Sequence, residues 1–318
     1  MKTVSTKYSR RDFLTFAKDS ALAGAVLASP LGLRAPAFRR LTMGDAATPP
    51  TENLLEIGRK QGYLRVGFNE NPPLSYIDPT NGKLTGAGPV LLGAMLKSLG
   101  IPTIYPTICD FDAIIPGLLD GRWDISGLAF DIIPTRCSQV AFTNPVNAYP
   151  EGALVQSGNP YKIHSYTDIA NNPKLLVAIQ EGDAEIQYAE ACGIKKSQIV
   201  LFTAEALAET ALKEGRVQVY LNGTFSLESD LKTYGSRGIE LAVPFTGPVI
   251  DGKVVVSYAG WALRYSDISA VKSLNAEIAK YRASGELLKL ERPFGFTADT
   301  IPAANITARL LCPASPLP

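Results

Sequence analysis

Leu118-Leu119-Asp120-Gly121-Arg122-Trp123-Asp124-Ile125 and Leu212-Lys213-Glu214-Gly215-Arg216-Val217-Gln218-Val219 are two copies of one local grammar. Each is a helix end, a glycine able to take the left-handed cap, an arginine, and the start of a strand. Working outward from the first copy, Glu52–Gln61 has a helical pattern after Thr51 as N-cap, and Tyr63–Asn69 reads as a strand. Pro89–Leu99 is helical and closed by Gly100. Ile101–Pro106 is a strand whose prolines assign it to an edge. Asp112–Leu119 is helical and leads into a strand at Trp123–Leu128. The second copy sits in the same order: strand Lys174–Ile179, helix Asp183–Cys192, strand Gln198–Phe202, helix Ala204–Lys213, strand Val217–Leu221. Such alternation implies parallel sheets flanked by helices, and two such units imply two α/β lobes. The strand Ser257–Leu263, the helix Ile268–Ala283 and the loop-rich Pro293–Pro318 are too little for a further domain. In open α/β sheets ligands bind beyond the carboxyl ends of the strands, so the interlobe cleft is the expected site.

Composition narrows the function. The 318 residues are 46% hydrophobic and 19% charged, which suits two globular lobes. A net charge of +1 points to no polyanion, so nucleic acid is not an expected partner. A single histidine, His164, excludes sites needing two, and it reads as a loop residue. Neither a P-loop nor a G-x-G-x-x-G fingerprint occurs. No cofactor is expected. Nor is a metal, since no two of Cys109, Cys137, Cys192 and Cys312 lie within four residues.

The N-terminus reads as an address. Ser9-Arg10-Arg11-Asp12-Phe13-Leu14 resembles a twin-arginine (Tat) export signal. The mild apolar run Ser20–Leu33 is too short to span a bilayer, and Ala35-Pro36-Ala37 offers a small-x-small cleavage site. Residues 1–37 are thus expected to be a signal peptide, and residues 38–51 a flexible leader. Removing the signal takes away six Lys/Arg and two Asp, leaving a net charge of −3. No cysteine precedes Cys109, which argues against a lipoprotein. The expected location is the periplasm, where disulfides form. Four cysteines allow three pairings, and the sequence does not choose among them.

Further motifs carry a resemblance. Cys109-Asp110-Phe111-Asp112-Ala113-Ile114-Ile115-Pro116-Gly117-Leu118 with Gly121-Arg122-Trp123-Asp124-Ile125, then Pro134-Thr135-Arg136 and Val140-Ala141-Phe142-Thr143-Asn144-Pro145, resemble family 3 extracellular solute-binding proteins of ABC importers. Within that family the chain is most similar to the ectoine/hydroxyectoine-binding group. The pointers are Pro134-Thr135-Arg136-Cys137, Ser165-Tyr166-x-Asp168-Ile169-Ala170 and Pro293-Phe294-Gly295-Phe296-Thr297-Ala298. The resemblance implies a two-lobed periplasmic-binding fold with a discontinuous first lobe, residues 52–148 and 258–318, and a second lobe, 149–257. Two crossing strands, near Tyr149–Val155 and Val254–Ala259, form the hinge. It also implies a Cys137–Cys312 bridge, a monomer, and partner permease and ATPase subunits on other chains.

The same resemblance assigns roles in the cleft. Arg136 is the family's carboxylate clamp, since a guanidinium pairs bidentately with a carboxylate. Phe111 is an aromatic wall for a cationic group, and Tyr76 on the first loop is a further candidate. Ala129, seven residues before the arginine, fits the family pattern. Asp131 stands where a hydroxyl or an aromatic is usual, and Asn71 and Leu74 replace acidic or aromatic residues. The second lobe's Gly-Thr turn reads Gly182-Asp183 here. Asp131 and Asp183 therefore either hold a cationic ligand or act internally, with Asp131 pairing with Arg136 and Asp183 capping its own helix. Asn222 and Thr224 either face the cleft from the end of a strand or belong to an Asn222-Gly223 turn.

The expected function is a periplasmic receptor that closes on a small zwitterionic or cationic solute, an ectoine-like compatible solute or an amino acid, and breaks no bond. The alternative is an exported cyclohexadienyl (prephenate/arogenate) dehydratase on the same fold, with Asp131, Asp183 or Glu181 as general acid. A sensor module feeding a membrane kinase is a third class. It is disfavoured because no signalling segment is legible.

Overall fold

A computed structural model describes residues 53–233 and 235–315. The expected signal peptide (1–37) and leader (38–51) lie outside the described residues. Among the described residues no helix is long and apolar enough to cross a membrane.

The repeated octets fold alike. Gly121 and Gly215 both have positive φ, +71° and +74°. The Arg122 N–H donates to Gly117 O and the Arg216 N–H to Ala211 O, at 2.8 and 2.9 Å. This is the six-to-one bond that ends a helix in a left-handed glycine. In the first copy, Trp123 is the reason for two more glycines. A Cβ on Gly67 or Gly117 would lie 2.3 or 2.1 Å from the indole, and the Trp123 Nε1–H donates to Ile114 O at 2.9 Å.

The first sheet has three parallel strands in the order Thr103–Ile108, Tyr63–Phe68, Ile125–Ser126. Thr103–Ile108, with Pro106, takes the edge that its proline requires. The expected strand Trp123–Leu128 is shorter than its pattern. Asp124 turns its carboxylate onto the Arg65 N–H and guanidinium, so that ladder pairing begins only at Ile125.

The larger sheet carries three parallel strands, Ile199–Phe202, Val177–Gln180 and Val219–Gly223, and continues into antiparallel partners. These are Asn147–Gln156, then Val256–Gly260, then the short Phe130–Asp131. The long strand Asn147–Gln156 and its partner Val256–Gly260 are the two strands that cross between the halves.

One hydrophobic core gathers residues between Leu54 and Val146 together with residues from Trp261 to Cys312. The helix Ile268–Ala283 supplies Ala270, Val271, Leu274 and Ile278 to it. Two further cores are built mainly between Ala153 and Ala242 and sandwich the parallel strands of the large sheet. Cys137 and Cys312 are joined, with Cα atoms 5.8 Å apart, which ties the C-terminal segment to the helix Pro134–Cys137. Cys109 and Cys192 are free.

Caps fix the helix entries. Ser165 Oγ accepts from the Asp168 N–H at 3.1 Å and starts the helix Tyr166–Asn171. Ser165→Ala is expected to lower the unfolding free energy by about 1 kcal/mol. Urea unfolding reads this as a lower midpoint at unchanged slope.

Candidate functional site

Arg136 leaves the short helix Pro134–Cys137, whose proline starts it and whose brevity projects the side chain inward. It is 5% exposed. Its Nη1 donates to Asp131 O and its Nη2 to Gly182 O, both at 2.9 Å. The guanidinium carbon sits 4.9 Å from the Phe130 ring centroid and 5.5 Å from that of Phe111, and these rings meet edge to face. Gly182 follows the strand Val177–Gln180 with φ +82°. A Cβ there would lie 2.9 Å from Asp112 Cβ, so only glycine lets this turn approach the opposite wall.

Around the arginine stand buried carboxyls. Asp183 Oδ1 is 3.8 Å from Arg136 Nη2 and accepts from the Ala184 N–H at 3.1 Å. The Asp131 carboxylate accepts from the Tyr149 hydroxyl at 2.8 Å. Thus neither internal role holds as expected. Arg136 bonds the main-chain oxygen of Asp131 rather than its side chain, and the N-cap of the helix Glu185–Ala191 is Ala184, not Asp183. Glu185, in the first turn of that helix, brings a carboxylate oxygen within 4.8 Å of those of Asp131 and Asp183. Behind them Glu151, on the crossing strand, accepts from the Ser257 hydroxyl. Burial pushes Asp131 up to about 6 against the pull of Arg136, and pushes Glu151 up to about 8. Burial raises Asp183 and Glu185 too, and neighbouring carboxylates push Glu185 further.

A second polar knot lies across the cleft. Glu205 opens the helix Glu205–Lys213, just past the strand Ile199–Phe202. Its Oε1 accepts from Asn222 Nδ2 at 2.9 Å and from Asn71 Nδ2 at 3.2 Å. Asn222 also donates to the Tyr220 hydroxyl, and its Oδ1 takes the Gly223 N–H. Burial carries Glu205 up to about 7. Asn222 and Gly223 are buried strand residues laddered to Gly152 and Glu151, so the turn reading is corrected: the polar bonds of the Asn222 side chain hold it inside the sheet.

A pocket of about 430 Å3 opens between Asn69, Asp110 and Phe111 on one side and Gln180, Thr203 and Ala204 on the other. A smaller one, about 190 Å3, lies against Phe111, Phe130, Arg136 and Gly182. Of the residues singled out in the sequence, Arg136, Phe111, Asp131, Gly182 and Asp183 come together, and Asn71 and Asn222 meet at Glu205. Ala129 packs half-buried against the first core. Tyr76 lines a separate pocket with Phe225 and Lys232. Thr224 starts the helix Thr224–Thr233, and His164 is an exposed loop residue. Sequence reasoning missed Tyr149, Glu151, Glu185 and Glu205. Glu205 carried a usable signal, because it follows the carboxyl end of a parallel strand.

A family model described as bacterial extracellular solute-binding proteins, family 3, matches residues 64–297. The chain is 31% identical over 261 residues to the probable amino-acid ABC transporter periplasmic-binding protein y4tE of Sinorhizobium fredii (strain NBRC 101917 / NGR234), covering 81% of this chain and 85% of that protein. The crystal structure of EhuB in complex with hydroxyectoine is similar at a TM-score of 0.72 and 28% identity, over 81% of this chain and 97% of EhuB. The ancestral amino acid-binding protein AncCDT-1, a precursor of cyclohexadienyl dehydratase, is similar at a TM-score of 0.65 and 26% identity, over 76% of this chain and 99% of that one.

Proposed function

Because the chain belongs to the bacterial extracellular solute-binding proteins of family 3, we propose that it captures a small polar solute between its lobes and presents it to permease and ATPase subunits on other chains. It is a periplasmic binding component of an ABC importer. The solute class is zwitterionic or cationic, an amino acid or an ectoine-like compound, by analogy with y4tE and EhuB. The lobes are residues 52–148 with 258–318, and 149–257. The protein acts as a monomer and reaches the periplasm by the twin-arginine route. It breaks no bond. The dehydratase alternative has less support, because the matched relatives are binding proteins.

One observation carries this reading: the bonds that hold the cleft together lie within the expected site. Arg136 donates to Gly182 O, and Asn71 to Glu205, each from one side of the cleft to the other. A solute touching these groups touches both lobes at once, so its binding energy acts on the hinge strands Asn147–Gln156 and Val256–Gly260. The test is a thermal-shift panel on protein unfolded and refolded to strip carried-over solute. The panel holds ectoine, hydroxyectoine, amino acids, amines and prephenate. A true ligand at about 100 times Kd adds about 2.7 kcal/mol, which raises Tm by several degrees. Consumption of prephenate with no shift from any other compound would replace the receptor by an enzyme.

A further inference from the structure

We infer that the solute is a cation without a carboxylate, an amine or guanidine whose positive group enters the Asp131–Asp183–Glu185 cage. The inference rests on the receptor reading and deepens it. Three observations on the site support it.

First, the charge balance is one-sided. Asp131, Glu151, Asp183, Glu185 and Glu205 are acidic and little exposed, and among the described residues Arg136 is the cationic side chain seen bonded among them. The 430 Å3 pocket is lined by Glu70 and Asp110 and by no lysine, arginine or histidine among the described residues. Second, the fork of Arg136 that would grip a carboxylate spans Asp131 O and Gly182 O instead. A carboxylate placed there would face Asp183, 3.8 Å from the same nitrogen. Third, the cage is short of donors. Glu185 and Glu151 are buried and hydrogen-bonded to each other, which needs a proton on one of the two carboxyls. Glu185, 1% exposed, brings a carboxylate oxygen within 4.8 Å of its two neighbours. Buried acceptors without donors are costly, and an ammonium or guanidinium supplies three to five donors and the missing charge together. The aromatic faces of Phe111 and Phe130 hold the Arg136 guanidinium itself, so the arginine is committed to protein partners on its ring faces as well as at its fork.

Protons report the event. In the ligand-free protein, burial holds Asp131 and Glu151 partly protonated near neutrality. A cation entering the cage draws them to the charged form, so binding releases protons and tightens as pH rises from 6 to 8. A solute held by its carboxylate at Arg136 would show neither effect.

The experiment is calorimetric titration of the stripped full chain with matched pairs differing only in the α-carboxylate: agmatine against arginine, putrescine against ornithine, cadaverine against lysine. The expected result is that a decarboxylated member binds at least tenfold tighter than its amino acid. It should release protons, read in buffers of different ionisation enthalpy, and weaken at least tenfold in Glu185→Gln. The paired comparison uses unaltered protein, so it stands even if that variant folds poorly. Amino acids binding as well as or better than amines, or calcium binding in place of amines, would overturn the inference. Ectoine or an amino acid binding without amine preference would overturn it while leaving the receptor intact. No binding by any member of either panel would remove both.

Discussion

Arg136→Ala lowers the unfolding free energy by about 3–5 kcal/mol at pH 8 and by clearly less at pH 5. The size follows from what the side chain leaves behind. Two main-chain oxygens, on Asp131 and Gly182, lose their donor inside a closed cleft. Asp131 and Asp183 lose their compensating charge. Removing one partner from a buried charged group costs about 3–5 kcal/mol. The sign of the pH dependence also follows. Arg136 lowers the proton affinity of both aspartates, so its loss raises it, and the variant's folded state binds more protons than the wild type's. Below the shifted range these carboxyls are neutral and need no partner. As pH rises through about 6 and beyond, holding them neutral costs more, and the deficit grows. Arg136→Lys should recover only part of the loss, because an ammonium cannot span two carbonyls and lie flat between two rings. Urea unfolding at the two pH values checks this. A change below about 1 kcal/mol, equal at both pH values, would show that the arginine is dispensable to the cleft.

What the sequence made legible were the features fixed by neighbours along the chain. The Gly121 and Gly215 caps are local, and their hydrogen bonds match in both copies. The edge position of Thr103–Ile108 is written in Pro106, and the helix Ile268–Ala283 in its own periodicity. Less legible were features set by residues far apart. Whether Asp131 would meet the Arg136 side chain depended on Tyr149, which takes the carboxylate from a crossing strand. Whether Asn222 would turn or ladder depended on Glu205, from another helix. The cage and the glutamate behind it have the same character. Asp131, Glu151 and Glu185 lie on three different elements, and no local spacing announces that they converge.

Replacing Cys137 and Cys312 together by alanine lowers the unfolding free energy by about 3–5 kcal/mol. The bridge closes a loop with a sequence separation of 175, and loop-closure entropy at that length amounts to about 5 kcal/mol. Residual order in the unfolded chain takes some of this back. The remainder is large because the bridge organises its surroundings. Cys137 O accepts from the hydroxyls of Tyr265 and Ser315, and both cysteines belong to the first core. The loss should also reach the site unevenly. Arg136 precedes Cys137 on a helix of four residues, Pro134–Cys137, which has little stability of its own. Releasing the C-terminal segment frees that helix and with it the fork that bonds Gly182 across the cleft. The double variant should therefore bind solute more weakly even where it is still folded, whereas a surface change of equal thermal cost would not. Solute affinity measured well below the melting transition separates the two. Unchanged affinity would mean that the bridge staples the chain without holding Arg136 in place.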